Sequence, residues 1–143
     1  MAQEIAGEGT AGLSGINAAD VSSLTLAYIG DSFYELTIRT EMLRRHNAGA
    51  GDVDKYTKKF TNAPAQAKIA ELLEAQLSEE EYHIFKRGRN AKSVSAPHSC
   101  SIGEYRKATG LEALVGHLYL SGKEGRAREL ILDGLRLYEE SIG

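Results

Sequence analysis

Leu24-Thr25-Leu26-Ala27-Tyr28-Ile29-Gly30-Asp31-Ser32-Phe33-Tyr34-Glu35-Leu36 reads as one apolar helix that carries an acid on its inner face. On a helix, Asp31 shares a face with the residues three, four and seven positions away. Those are Leu24, Ala27, Tyr28, Tyr34, Glu35 and Ile38, and all but Glu35 are apolar or aromatic. A carboxylate on a core-facing stripe must be paired, hydrogen-bonded or bound to a cation, because burying it alone is too costly.

A second stretch, Tyr105-Arg106-Lys107-Ala108-Thr109-Gly110-Leu111-Glu112-Ala113-Leu114-Val115-Gly116-His117-Leu118-Tyr119-Leu120, has the same character. Here Glu112 shares its stripe with Tyr105, Ala108, Thr109, Val115, Gly116 and Tyr119. Glycine inside a helix costs roughly 1 kcal/mol against alanine. Gly30 and Gly110 therefore predict close helix approach at the level of the two acids. The simplest single arrangement has Asp31 and Glu112 meeting to share a divalent cation. For each acid, satisfaction by backbone or by an arginine of a neighbouring helix stays open as the alternative. For Glu35, an i,i+4 ion pair with Arg39 is the preferred reading over a place in the site.

Working outward, 143 residues suffice for one domain with a real core. Two prolines and many Ala, Leu, Glu, Lys and Arg residues favour an all-α fold. No apolar run is long enough to span a membrane, and the first residues match neither a signal nor a transit peptide. The single cysteine, Cys100, excludes an internal disulfide and fits a reducing cytoplasm. A net charge of −3 excludes a polycation, so nucleic acid would have to meet a local basic patch.

Glycine-rich residues 1–19 read as a flexible leader and 20–143 as a single domain. A long helix is expected from about Val21 to Arg45, capped by Asn17, Asp20 or Ser22. A short helix follows, capped by Asp52 and running through Phe60. Another is capped by Thr61 or Asn62, tolerates Pro64 in its first turn and reaches about Gln76. Ser78 with Glu81, and Ser101 with Glu104, form capping boxes for two more. Ser121 with Glu124 repeats the pattern before a last helix to about Tyr138. No strand alternation or internal repeat is present.

The most basic segment is Lys86-Arg87-Gly88-Arg89-Asn90-Ala91-Lys92-Ser93. A short charge run is usually a solvated turn, and cations are also favoured at a helix end. Arg and Lys mixed with Gly, Asn and Ser is equally what phosphate-backbone contact uses. Arg106 and Lys107 extend the same patch. Metal-binding CxxC and HExxH patterns are absent, and Gly122-Lys123 lacks the rest of a phosphate loop. The four histidines show no ligand spacing, and Cys100 is taken as incidental.

Three of these stretches, Leu26 to Leu36, Lys86 to Ser93 and Tyr105 to Gly116, together resemble the Mini-ribonuclease III family. Its members are catalytic ribonuclease III domains without a double-stranded RNA-binding domain. The resemblance spans about Val21 to Tyr138, with the three motifs in the family's order. It implies a ribonuclease III-like helical endonuclease domain that works as a homodimer. It also implies Mg2+-dependent cleavage of double-stranded RNA and, in bacteria, maturation of precursor 23S ribosomal RNA. Asp31 matches the aspartate of the Gly-Asp motif and Glu112 the glutamate of the Glu-Ala-Leu motif, both metal-site residues. Lys86, Arg87, Arg89, Asn90, Lys92, Ser93 and Arg106 would then hold RNA. In the wider ribonuclease III pattern, larger members carry a glutamate where this chain has Ala27 and an aspartate where it has Thr109, and Mini members share the reduction. That reduction motivates a rival expectation, a non-catalytic RNA-binding or ribosome-associated module that kept the fold. A helical dimerisation protein with no RNA role is the blander alternative.

Overall fold

The computed structural model describes residues 15–91 and 96–143, and all regular structure among them is helical. Six helices follow in chain order: α1 (Ser23–His46), α2 (Ala50–Thr61), α3 (Ala63–Leu73), α4 (Glu79–Asn90), α5 (Ile102–Leu120) and α6 (Glu124–Ile142). The all-α expectation holds.

Local chemistry sets most boundaries. The Ser22 side chain accepts the Thr25 N–H at the start of α1, and Asn47 in the left-handed region at φ 46° ends it. Both expected capping boxes, Ser78 with Glu81 and Ser101 with Glu104, are formed. Asn62 caps α3 through Ala65 N–H at 2.9 Å. Two expected caps are corrected. Asp52 lies inside the first turn of α2, where its charge suits the dipole, and Gly49 precedes the helix. Ser121 closes α5 rather than opening α6, which starts after Lys123 without a side-chain cap. At the start of the described chain, Asn17 caps a short turn over Ala18–Asp20 whose Ala18 is buried. The fold therefore begins before Asp20. Residues 1–14 of the expected leader lie outside the described residues.

Helix α5 is the axis of the fold. It buries Ala108, Thr109, Gly110, Leu111, Leu114, Val115, Leu118 and Leu120, and α1, α3, α4 and α6 all pack against it. The core joins Tyr34 and Ile38 of α1, Phe60 of α2, Ile69 and Leu73 of α3, Phe85 of α4, and Leu130 and Ile131 of α6. Two crossings bring backbones unusually close. At the first, a Cβ on Gly30 would strike the Glu112 carbonyl oxygen, and one on Gly116 would strike that of Leu26. At the second, Gly110 faces the Phe85 carbonyl and Gly88 lies against Ala113. The expected partner of Gly30 is thereby corrected from Gly110 to Gly116. Gly110 serves the α4–α5 contact instead.

Candidate metal centre and RNA-facing surface

The first crossing places Asp31 and Glu112. Gly30 lets α1 touch α5 at Glu112 itself, and Asp31 is the next residue along α1. The Asp31 carboxylate is close enough to act on the Glu112 carboxyl. Glu112 is partly buried, whereas Asp31 is exposed. Asp31 is thus corrected from a core stripe to the rim of one. Its expected neighbours Leu24 and Tyr28 are solvent-facing at 44% and 77% exposure, and the inner face is formed by Leu26, Ala27, Gly30, Tyr34 and Ile38. The helix turns its inner face by whole turns, so the residue after a buried glycine is carried to the edge.

Burial first, then the hydrogen bond and charge of Asp31, push the Glu112 carboxyl up to about 9. Gln66 works in the opposite direction, its Nε2 donating to Glu112 Oε2 at 3.4 Å. Two facing carboxylates, one partly desolvated, form a site that an oxygen-seeking divalent cation would neutralise. These residues fit such an ion on their own chemistry. The positions where larger relatives carry acids add nothing to the set. Ala27 is buried, and Thr109 Oγ1 donates back to the Tyr105 carbonyl at 2.9 Å. Among the described residues no cluster of three or more His, Cys, Asp or Glu side chains forms. Glu35 lies one turn beyond Asp31 and bonds Arg39 at 2.7 Å, as expected.

The basic segment is helical through Asn90, so of the two local readings it is the helix end and not the solvated turn. Ser78 starts α4 early enough for the run to occupy its last turns, where the dipole favours cations. Lys86, Arg87 and Asn90 line an open concavity of about 650 Å³ together with Ser22, Ser23, Leu24 and His83. This puts the cluster beside the start of α1, ~10 Å along that helix from Asp31 at 1.5 Å per residue. Arg89 turns aside to lie 5.8 Å from the Phe85 ring centre. Arg106 is exposed in the first turns of α5. Lys92 and Ser93 lie outside the described residues. Lys107, read as an extension of the patch, instead bonds Glu71 of α3.

Sequence reasoning missed Gln66 and His83. Gln66 carried a signal, an amide between Ala65 and Ala67 on a helix face otherwise apolar. His83 carried none, because only the packing of α4 against the start of α1 brings it to Ser22.

The ribonuclease III domain profile matches residues 24–123, which contain both acids and the basic run. The Mini-ribonuclease 3 of Clostridium tetani is 40% identical over 122 residues, covering 85% of this chain and 81% of that protein. The chain belongs to the Mini-ribonuclease III family. The Mini-ribonuclease 3 of Symbiobacterium thermophilum is 41% identical over 115 residues, covering 80% of this chain and 88% of that protein. A crystal structure of a Fusobacterium nucleatum protein superposes with a TM-score of 0.73 at 37% identity, covering 82% of this chain and 93% of that one. The nuclease domain of ribonuclease III from Campylobacter jejuni shares the fold, with a TM-score of 0.59 at 15% identity over 96% of this chain and 90% of that one. Membership in the Mini-ribonuclease III family makes the chain an endoribonuclease of the ribonuclease III type.

Proposed function

We propose that the protein is a Mg2+-dependent endoribonuclease that cuts double-stranded RNA as a homodimer. The observation that carries this reading is the Asp31–Glu112 carboxylate pair at the Gly30–Gly116 crossing. Precursor 23S ribosomal RNA, in the cytoplasm, is the substrate that the family resemblance implies. No described helix is long and apolar enough to cross a membrane.

Asp31 and Glu112 would hold the ion through their hard carboxylate oxygens. Held there, such an ion would supply Lewis acidity to phosphodiester hydrolysis. Asp31, on the rim, meets the substrate side, while Glu112 is anchored in the protein. No protein nucleophile is required of the chain. Lys86, Arg87 and Asn90, with Arg89 and Arg106, offer positive charge and amide groups to RNA phosphates and 2′-hydroxyls. Lys92 and Ser93 continue the same segment in sequence.

The homodimer is supported by the outer face of α1. Tyr28 and Leu36 are large, apolar and exposed. Beside them Ile29, Phe33, Leu36, Tyr119 and Leu132 line a groove of about 610 Å³. A two-fold axis through this face would set two Asp31–Glu112 pairs on one duplex, one for each strand.

The test is cleavage of a long double-stranded RNA, with Mg2+ and with chelator, by wild type and Asp31→Asn. Cutting that needs both Mg2+ and Asp31 is the expected result. Chelator-resistant cutting, or full turnover by Asp31→Asn, overturns the assignment. RNA bound but uncut by the wild type favours the non-catalytic RNA-binding module instead.

A further inference from the structure

Gln66 is 4% exposed, and it shares α3 with buried Ala65, Ala67, Ile69 and Ala70. An amide in such surroundings is costly unless its hydrogen bonds are made. Its Nε2 reaches across the α3–α5 contact to Glu112 Oε2 at 3.4 Å. The backbone that carries it is held from both sides. Upstream, the buried Tyr34 hydroxyl of α1 donates to the Phe60 carbonyl at 2.7 Å. Next along the chain, Asn62 Nδ2 donates to the Lys58 carbonyl at 2.9 Å, and Asn62 Oδ1 accepts from Ala65 N–H. Downstream, Lys107 of α5 bonds Glu71 of α3. The chain on either side of Gln66 is therefore tied down, the end of α2 to α1 through Tyr34 and the end of α3 to α5 through Lys107.

We propose that Gln66 is a positioning residue for Glu112, its amide fixing the rotation of that carboxylate beside Asp31 so that the two acids present a set pair of oxygens to a divalent cation. The inference rests on the reading of Asp31 and Glu112 as the metal centre. No third acid, histidine or cysteine joins the pair among the described residues. Orientation must then come from a group that does not itself ligate. A free glutamate side chain has several rotamers, and a site of two ligands loses more from a wandering one than a site of four. A neutral donor does this without adding a third negative charge. Groups that orient metal ligands in this way typically change metal affinity by about 10- to 100-fold when removed.

The experiment measures Mn2+ binding to the full chain without RNA, by the electron paramagnetic resonance signal of free Mn2+. Mn2+ is the probe because it takes the same oxygen ligands as Mg2+. Wild type, Asp31→Asn, Gln66→Met and Gln66→Asn are compared, with Ile69→Val as a buried control in the same helix. Thermal melting of each is recorded, together with kcat and KM for RNA as Mg2+ is varied. The expected result is binding about 10-fold weaker in both Gln66 variants. The Mg2+ needed for half-maximal cutting rises in parallel, and KM for RNA at saturating Mg2+ is unchanged. Gln66→Asn keeps an amide but is one methylene too short to reach Glu112, so it separates reach from polarity and stands in if Gln66→Met does not fold. Wild-type Mn2+ affinity in both Gln66 variants overturns the inference and leaves the metal centre standing. An equal loss in Ile69→Val, or full affinity in Gln66→Asn, also overturns it. Wild type that binds no more Mn2+ than Asp31→Asn overturns the metal-centre reading beneath it.

Discussion

Gly30 of α1 and Gly116 of α5 face each other with so little space that a Cβ on Gly116 would come within 3.0 Å of the Gly30 nitrogen. That contact sets the separation of Asp31 and Glu112. Alanine at either glycine has to push the helices apart, because the obstructing atoms are backbone. Overpacking of this kind costs about 1–3 kcal/mol, with backbone clashes at the upper end. Gly30→Ala and Gly116→Ala are each expected to lower the melting temperature by roughly 10 °C and to abolish cutting. Gly51→Ala, inside α2 where a Cβ meets nothing within 4 Å, is expected to lower neither. Circular dichroism melts check the comparison, and an unshifted Gly30→Ala melt contradicts it.

The raised Glu112 carboxyl makes a pH prediction. Its folded value of about 9 lies above the ordinary 4.5, so between these the folded protein holds a proton that the unfolded chain has released. The associated stability is full below the unfolded value and is lost as pH rises toward about 9. Metal-free wild type is therefore expected to melt at progressively lower temperature over that window relative to Glu112→Gln. If the pair binds Mg2+, which favours the ionised carboxylate, the ion raises the wild-type melting temperature more at about pH 8 than at about pH 5. Parallel wild-type and Glu112→Gln curves would contradict the shift.

The basic end of α4 is tested by salt. If Lys86 and Arg87 neutralise phosphates from their concavity beside α1, Arg87→Ala reduces the slope of log affinity against log salt by about one. Arg89 has its guanidinium over Phe85, so Arg89→Ala is expected to lose some packing as well as charge. Filter binding of an uncleavable duplex across a salt series reads both. An unchanged slope in the Arg87→Ala, Arg89→Ala double variant removes this surface from the RNA contact.

The exposed face of α1 makes the fourth prediction. Tyr28 at 77% and Leu36 at 62% exposure are large apolar groups left uncovered among the described residues. An aspartate at either position is expected to convert a dimer to a monomer in sedimentation velocity, with the helical circular dichroism signal unchanged. Cutting of duplex RNA falls with it, since both strands need a site. A wild-type monomer, or a Tyr28→Asp dimer, rejects this face as the interface.

Much of this was legible in the chain. Capping boxes at Ser78 and Ser101 were readable because the interactions span three residues and need no partner from elsewhere. The Glu35–Arg39 pair was readable for the same reason. The caps at Asp52 and Ser121 were misread because a side chain with capping chemistry does not cap when the helix starts a turn away. The basic run stayed open between a turn and a helix end because glycine and asparagine weaken helix propensity, yet Gly88 is where α4 presses on Ala113.

The sequence by itself determined the helices, the two acids and the family to which they point, since periodicity, caps and short motifs are local properties of a chain. Only the tertiary structure decided that Gly30 meets Gly116 rather than Gly110, that Asp31 stands on the rim while Glu112 is anchored inside, and that Gln66 closes over Glu112 from a third helix. Those are outcomes of which helix packs on which and at what rotation. Close packing settles them between residues far apart in the chain, and no local pattern encodes that choice.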